Sequence, residues 1–208
     1  MSWSLRVLLL SMLLTYATAC TPIDSQLPDT AAAPTNDAAP ANSAGQPAEA
    51  AGEVRVAVAD LAALREHVQK FRGKQVVVDI WSTSCAPCMH EFPNLVALSE
   101  KHAEQVACIS FNVDYIGLKS KPPEDYVAKV EEFLQKQNAT KITNLVSSTA
   151  DEKVLADFEV ESIPAILIFD TQGELAHKLT DANSGDDGLS YAGDVLPKLA
   201  LVDNVTNK

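Results

Sequence analysis

Past residue 53 the chain switches between two kinds of apolar pattern. Leu61, Leu64, Val68 and Phe71 recur at helical spacing between Asp60 and Gly73. A carboxylate that can cap the first turn and a glycine that can end the last one predict an amphipathic helix there. QVVVDIW, residues 75–81, is a short β-branched run and predicts a strand covered on both faces. A helix is predicted from about Ala86 to Lys101, with Pro93 inside it, followed by a second buried strand, VACISFNVD, over 106–114. Helical spacing returns over 124–137, where Tyr126, Val130, Phe133 and Leu134 share a face. ITNLV (142–146) reads as a strand, and Val154, Leu155 and Phe158 mark a short helix. IPAILIFD (163–170), the turn Thr171-Gln172-Gly173 and ELAHKL (174–179) predict a hairpin. Leu196, Leu199 and Val202 predict a last helix over roughly 189–202, which accommodates Pro197 if it starts near Asp194. Strands alternating with helices, closed by a hairpin, predict an α/β layered domain with an antiparallel component, spanning 54–208.

Before residue 54 these periodicities are missing. Residues 20–53 are rich in Ala and Pro, acidic without a single basic residue, and nearly devoid of large apolar side chains. Ordering such a segment would bury too little to offset the lost chain entropy, so it is expected to be a disordered, semi-extended tether. Residues 1–19 run from MSWSLR through VLLLSMLL to a small-residue exit, the order of a secretory signal. The apolar run is shorter than the roughly 20 residues a spanning helix needs. Ala17-Thr18-Ala19 followed directly by Cys20 resembles a bacterial lipobox. That resemblance implies cleavage before Cys20, lipid attachment to it, and a protein held at a membrane surface.

Charge and cysteine content narrow the chemistry. Sixteen basic against 28 acidic residues give a formal charge of -12, which argues against nucleic-acid binding. Beyond Cys20 the cysteines are Cys85, Cys88 and Cys108, and three cannot all pair. Cys108 lies among apolar neighbours in VACISF and reads as a small buried hydrophobe. His67, His90, His102 and His177 are scattered and read as surface residues, and 116–125 reads as a solvated loop.

The candidate chemistry is in DIWSTSCAPC, residues 79–88, where a CxxC follows a buried strand and opens a helix. Free N–H groups and the helix dipole favour a thiolate in that first turn. The two-residue spacer lets the second thiol reach the first, and Pro87 suits an early-helix position that needs no N–H donor. A structural zinc site would require a second pair or two suitably spaced histidines. A purely structural disulfide over so small a loop would restrain little chain entropy. Asp79, set in VVVDIW, is expected to be buried, with its carboxyl pushed upward and able to take the proton of Cys88.

DIWSTSCAPCMHEFPNL resembles the active-site segment of thioredoxin-like proteins, especially the exported TlpA/ResA-like thiol-disulfide oxidoreductases. Trp81 stands where that family keeps an aromatic, Pro93 where it has a helix-kinking proline, and Asp79 where thioredoxin has a buried acid. SIPAILIFD resembles the family's second landmark, the cis-proline loop and its strand. Ser84 stands where most relatives carry Trp, Met89 where Arg or Lys is common, and the Ala86-Pro87 dipeptide is neither Gly-Pro nor Pro-Pro. The resemblance implies a central mixed β-sheet flanked by helices on both faces. It implies Cys85 as attacking thiolate, Cys88 as resolving thiol, a redox disulfide between them, and substrate backbone pairing at Ile163 beside a cis Pro164. Trp81 and Pro87 would support the site. No cofactor and no metal are expected. Partners would be protein thiols or disulfides and an upstream membrane electron donor, in the periplasm or at the cell exterior. Reduction is the favoured direction. Oxidation or isomerisation, copper delivery through Cys85, Cys88 and His90, and partner binding without redox chemistry remain the alternatives.

Overall fold

The structure is a computed structural model and describes residues 52–185 and 188–202. The signal sequence, Cys20 and nearly all of the tether expected over 20–53 lie outside the described residues.

Six strands form one sheet in the order β1-β4-β3-β2-β5-β6. They are β1 (Val56–Ala59), β2 (Gln75–Trp81), β3 (Val106–Asn112), β4 (Thr143–Ser147), β5 (Ala165–Phe169) and β6 (Leu175–Thr180). β1, β4, β3 and β2 run parallel, while β5 is antiparallel to β2 and β6 antiparallel to β5. The sheet is therefore mixed, with the hairpin supplying its antiparallel edge. β2 and β3 read as continuous apolar runs because they are central and covered on both sides. β1 escaped the sequence reading: VAVA is short, sits at the sheet edge and is partly exposed.

Alternation along the strands separates two apolar clusters. Val77 and Trp81 of β2, with Cys108 of β3 and Ile166 and Ile168 of β5, face α2 (Ala86–Lys101) and α3 (Glu124–Lys136). Val76, Val78 and Ile80, with Ile109 and Leu167, face α1 (Leu61–Lys70) and α4 (Asp151–Phe158). The domain is the α/β sandwich with helices on both sheet faces that the resemblance implies. Local signals explain the elements. Asp60 Oδ1 accepts the Ala63 N–H at 2.8 Å and starts α1, whose buried residues are Leu64 and Val68. At the hairpin tip, Asp170 Oδ1 accepts the N–H groups of Gln172 and Glu174 at 2.8 and 3.0 Å. Gly173 there has φ +80, a backbone conformation that any other side chain would strain.

The helix predicted over 189–202 does not form. A π turn, Tyr191–Val195, runs into a 3₁₀ turn, Leu196–Lys198, and the chain then extends along the sheet end. Pro197 removes a donor that a continuous helix would use. The buried positions are Tyr191, Val195 and Leu199, whereas Leu196 and Val202 are 38% and 69% exposed. Backbone groups freed by the missing helix bond to glutamine side chains instead. Gln75 Oε1 accepts from Ala200 N at 2.8 Å, and Gln105 brackets Val202 through both N–H and C=O.

Candidate active site

β2 ends at Trp81, and α2 begins at Ala86 after four intervening residues. Cys85 is the N-cap of α2, with extended backbone, and its Sγ accepts the Cys88 N–H at 3.2 Å. Cys85 and Cys88 form a disulfide with their Cα atoms 5.3 Å apart. Cys85 is half-buried; Cys88, one turn further in, is 2% exposed. The two sulfurs thus differ in access before any chemistry begins. Pro87 lies in the first turn, where its missing N–H leaves no bond unmade.

The intervening loop, 82–84, is anchored by a residue outside the motif. Asp114, two residues past β3, accepts hydrogen bonds from Ser82 Oγ at 2.7 Å, Thr83 N at 2.8 Å and Thr83 Oγ1. Ser82 Oγ also lies 2.8 Å from Ser84 Oγ and accepts the Ser84 N–H at 3.1 Å. A polar clamp therefore occupies the stretch that ends in Ser84, which is exposed. Asp114 was not singled out in the sequence, because its partners lie 31 and 32 residues away.

Behind the cysteines, Asp79 is 3% exposed on the β2 face that α2 covers. Burial pushes its carboxyl up to about 7, assisted by the charge of Glu91 and opposed by a hydrogen bond from Tyr191. That bond runs from Tyr191 Oη to Asp79 Oδ2 at 2.7 Å across 112 residues of chain. Glu91 Oε2 in turn accepts the Tyr191 backbone N–H at 3.1 Å. Burial also pushes the thiol of Cys108 and the phenol of Tyr191 up, and the negative charge of Asp79 adds to both effects. Trp81 is fully buried and donates from Nε1 to Ser110 Oγ at 3.2 Å. Its ring packs on Phe92 and Phe133, with centroids 5.1 and 4.9 Å away.

The Ile163–Pro164 peptide is cis. Ala165, next in the chain, pairs with Ile80, so the cis loop emerges at the end of β2 from which the CxxC loop leaves. Ile163, Ser84, Asp114, Ile116 and Tyr126 help line a groove of about 310 Å³ along the loop 82–84. Among the described residues no three His, Cys, Asp or Glu side chains converge as a metal site would require. His90 is exposed and lies 3.4 Å from Glu91 Oε1. Cys108 is buried and unpaired among the described residues.

The family model described as Redoxin matches residues 36–203. The chain belongs to the Redoxin family. It is 26% identical over 110 residues to the thioredoxin-like protein YneN of Bacillus subtilis, a match that covers 52% of this chain and 58% of YneN. The chain therefore spans less than two thirds of that relative's length. It is 24% identical over 140 residues to the thiol-disulfide oxidoreductase ResA of Bacillus cereus, covering 67% of this chain and 74% of ResA. Among solved structures, the exposed lipoprotein thioredoxin of Streptococcus pneumoniae aligns with TM-score 0.42 and 19% identity, over 53% of this chain and 77% of that one. A secreted Mycobacterium tuberculosis disulfide oxidoreductase aligns with TM-score 0.43 and 21% identity, over 59% and 78%. Within the Redoxin family the chain thus resembles a thioredoxin-like protein and a TlpA/ResA-like thiol-disulfide oxidoreductase.

Proposed function

We propose that this Redoxin-family chain is a membrane-tethered reductase of disulfides in exported proteins. The observation that carries the reading is the inequality of the two sulfurs. Cys85 caps α2, is reachable from solvent and receives the Cys88 N–H, whereas Cys88 is buried beneath it. A negative charge on Cys85 Sγ is stabilised there by the N–H and the helix dipole.

In the reduced protein, Cys85 thiolate attacks one sulfur of a substrate disulfide, forming a mixed disulfide and releasing the first substrate thiolate. Asp79 carboxylate accepts the Cys88 proton. The Cys88 thiolate attacks Cys85 Sγ, closes the Cys85–Cys88 disulfide and expels the second substrate thiolate. Two electrons pass to the substrate, and a membrane-associated dithiol donor restores the resting pair. The substrate chain lies across the cis loop and pairs with the backbone of Ile163, with Pro164 closing the wall opposite the cysteines and Trp81 and Pro87 shaping the support. The anchor is a lipid on Cys20, with residues 21–53 as the tether and the domain on the outer side of the cytoplasmic membrane.

The test combines a disulfide-reduction assay, the Cys85/Cys88 redox potential and two variants. A strongly reducing potential is expected. Cys85→Ser abolishes turnover, and Cys88→Ser accumulates a mixed disulfide that a thiol reductant releases. An oxidising potential would reverse the assigned direction, and turnover retained in Cys85→Ser would end the reading.

A further inference from the structure

The proton acceptor has a partner that its own strand does not supply. The Tyr191 hydrogen bond favours the charged form of Asp79, against burial and the charge of Glu91. The phenol bonds Oδ2 at 2.7 Å, while Oδ1 takes no hydrogen bond from a described residue. One carboxylate oxygen is thus held and the other is open.

Tyr191 is itself fixed from several sides. Its ring is 2% exposed within the cluster that contains Cys88 and Trp81. Its backbone N–H donates to Glu91 on α2, the helix that bears both cysteines. The π turn that aims the ring inward is tied by Asp194 Oδ2, which accepts from Ser190 N at 2.9 Å and Ser190 Oγ at 3.2 Å. Ser190 Oγ accepts in turn from Gly193 N at 3.1 Å. A tyrosine needed only for apolar volume would not require its hydroxyl at a buried carboxylate, where a phenylalanine would fill the same space.

We propose that Tyr191 is a positioning residue for the redox reaction, its phenol holding Asp79 by one oxygen so that the other faces the Cys88 proton. This rests on the assignment of Asp79 as proton acceptor. The segment that was expected to be a plain helix then becomes part of the site: only a docked π turn delivers the hydroxyl. The titratable groups that interact with Asp79 are Tyr191 from the turn, Glu91 from α2 and Cys108 from β3. None of them carries a positive charge. Loss of the phenol therefore moves Asp79 in one direction, toward holding its proton to higher pH.

The experiment follows the resolving step in the full-length protein. Cys85 is loaded as a mixed disulfide with 5-thio-2-nitrobenzoate, and the release caused by Cys88 attack is timed as a function of pH. In wild type the rate climbs through the titration of Asp79 near pH 7. Tyr191→Phe raises the midpoint by about one pH unit and slows release at pH 7 roughly fivefold, as expected for losing a hydrogen bond to a charged acceptor. Asp79→Asn flattens the profile, and adding Tyr191→Phe to it changes nothing more. If Asp79→Asn flattens the profile while Tyr191→Phe superimposes on wild type, the positioning role is wrong and the acceptor assignment survives. If Asp79→Asn keeps the wild-type profile, the acceptor assignment itself has failed. Should Tyr191→Phe not fold, 3-fluorotyrosine placed at 191 keeps every contact and donates more strongly, so the midpoint falls. An unmoved midpoint there overturns the proposal.

Discussion

Asp79 is flanked in β2 by Val78 and Ile80, both fully buried, and its own burial sets its acidity. Its carboxyl is raised from 3.8 to about 7, so between those limits the folded chain holds a proton that the unfolded chain has given up. The sign follows from linkage. The contribution to stability is fully present below the unfolded value, declines as pH rises, and is lost by the time pH passes about 7. A shift of this size corresponds to an effect on the order of a few kcal/mol. Asp79→Asn is uncharged throughout, so its unfolding free energy lacks this decline. Urea unfolding at pH 4.5 and pH 8 should show wild type losing stability between the two and the variant keeping it. Parallel losses in both proteins would assign the decline to other groups. A residue that weakens the fold at neutral pH invites a reason in chemistry, and proton transfer from Cys88 is the one proposed.

Elements place the site more than any single side chain does. β2 delivers Asp79 and Trp81, α2 starts at the cysteines, and the end of β3 holds the loop between them through Asp114. Asp114→Ala would leave the Thr83 N–H and two hydroxyls without their acceptor. For partly buried bonds to a charged group, a loss of roughly 2 kcal/mol is expected. Thr83 amide hydrogen exchange should accelerate, while exchange in β5 should change only by that global amount. An unchanged Thr83 amide would mean that the loop is held by its serines alone. α2 itself is stabilised through Phe92, which is fully buried and packs edge-on against Phe133 with centroids 5.2 Å apart. The aromatic trio with Trp81 gives the helix that carries both cysteines a rigid floor.

At the scale of the molecule, the proposed reading joins a compact redox domain to a lipid by a long acidic tether. Roughly 0.8 kcal/mol per buried CH₂ makes several acyl chains a firm anchor. Cys20→Ser is therefore expected to move the protein from the membrane to the soluble fraction, with disulfide reduction by the released protein unaltered. Membrane retention of that variant would require another anchor, and among the described residues no helix is long and apolar enough to cross a bilayer.

Much of this organisation was legible in the chain because it is locally encoded. Continuous β-branched runs mark the central strands, Asp60 and Gly73 bound α1, and the CxxC stands where a strand gives way to a helix. The cysteine spacing and the buried-acid pattern of VVVDIW are likewise read within ten residues. Tertiary structure decided what depends on distant parts of the chain. β1 is a strand because β4 offers it an edge, not because VAVA insists on it. The predicted terminal helix gave way to a π turn, since Pro197 weakens the helix while burial of Tyr191, Val195 and Leu199 and the glutamine bonds reward another path. Tyr191 and Asp114 carry no local signature: each matters through hydrogen bonds to residues 112 and 31 or 32 positions away. Short-range spacing determined which residues hold the sulfur chemistry; only the closure of long loops against the sheet decided what surrounds them.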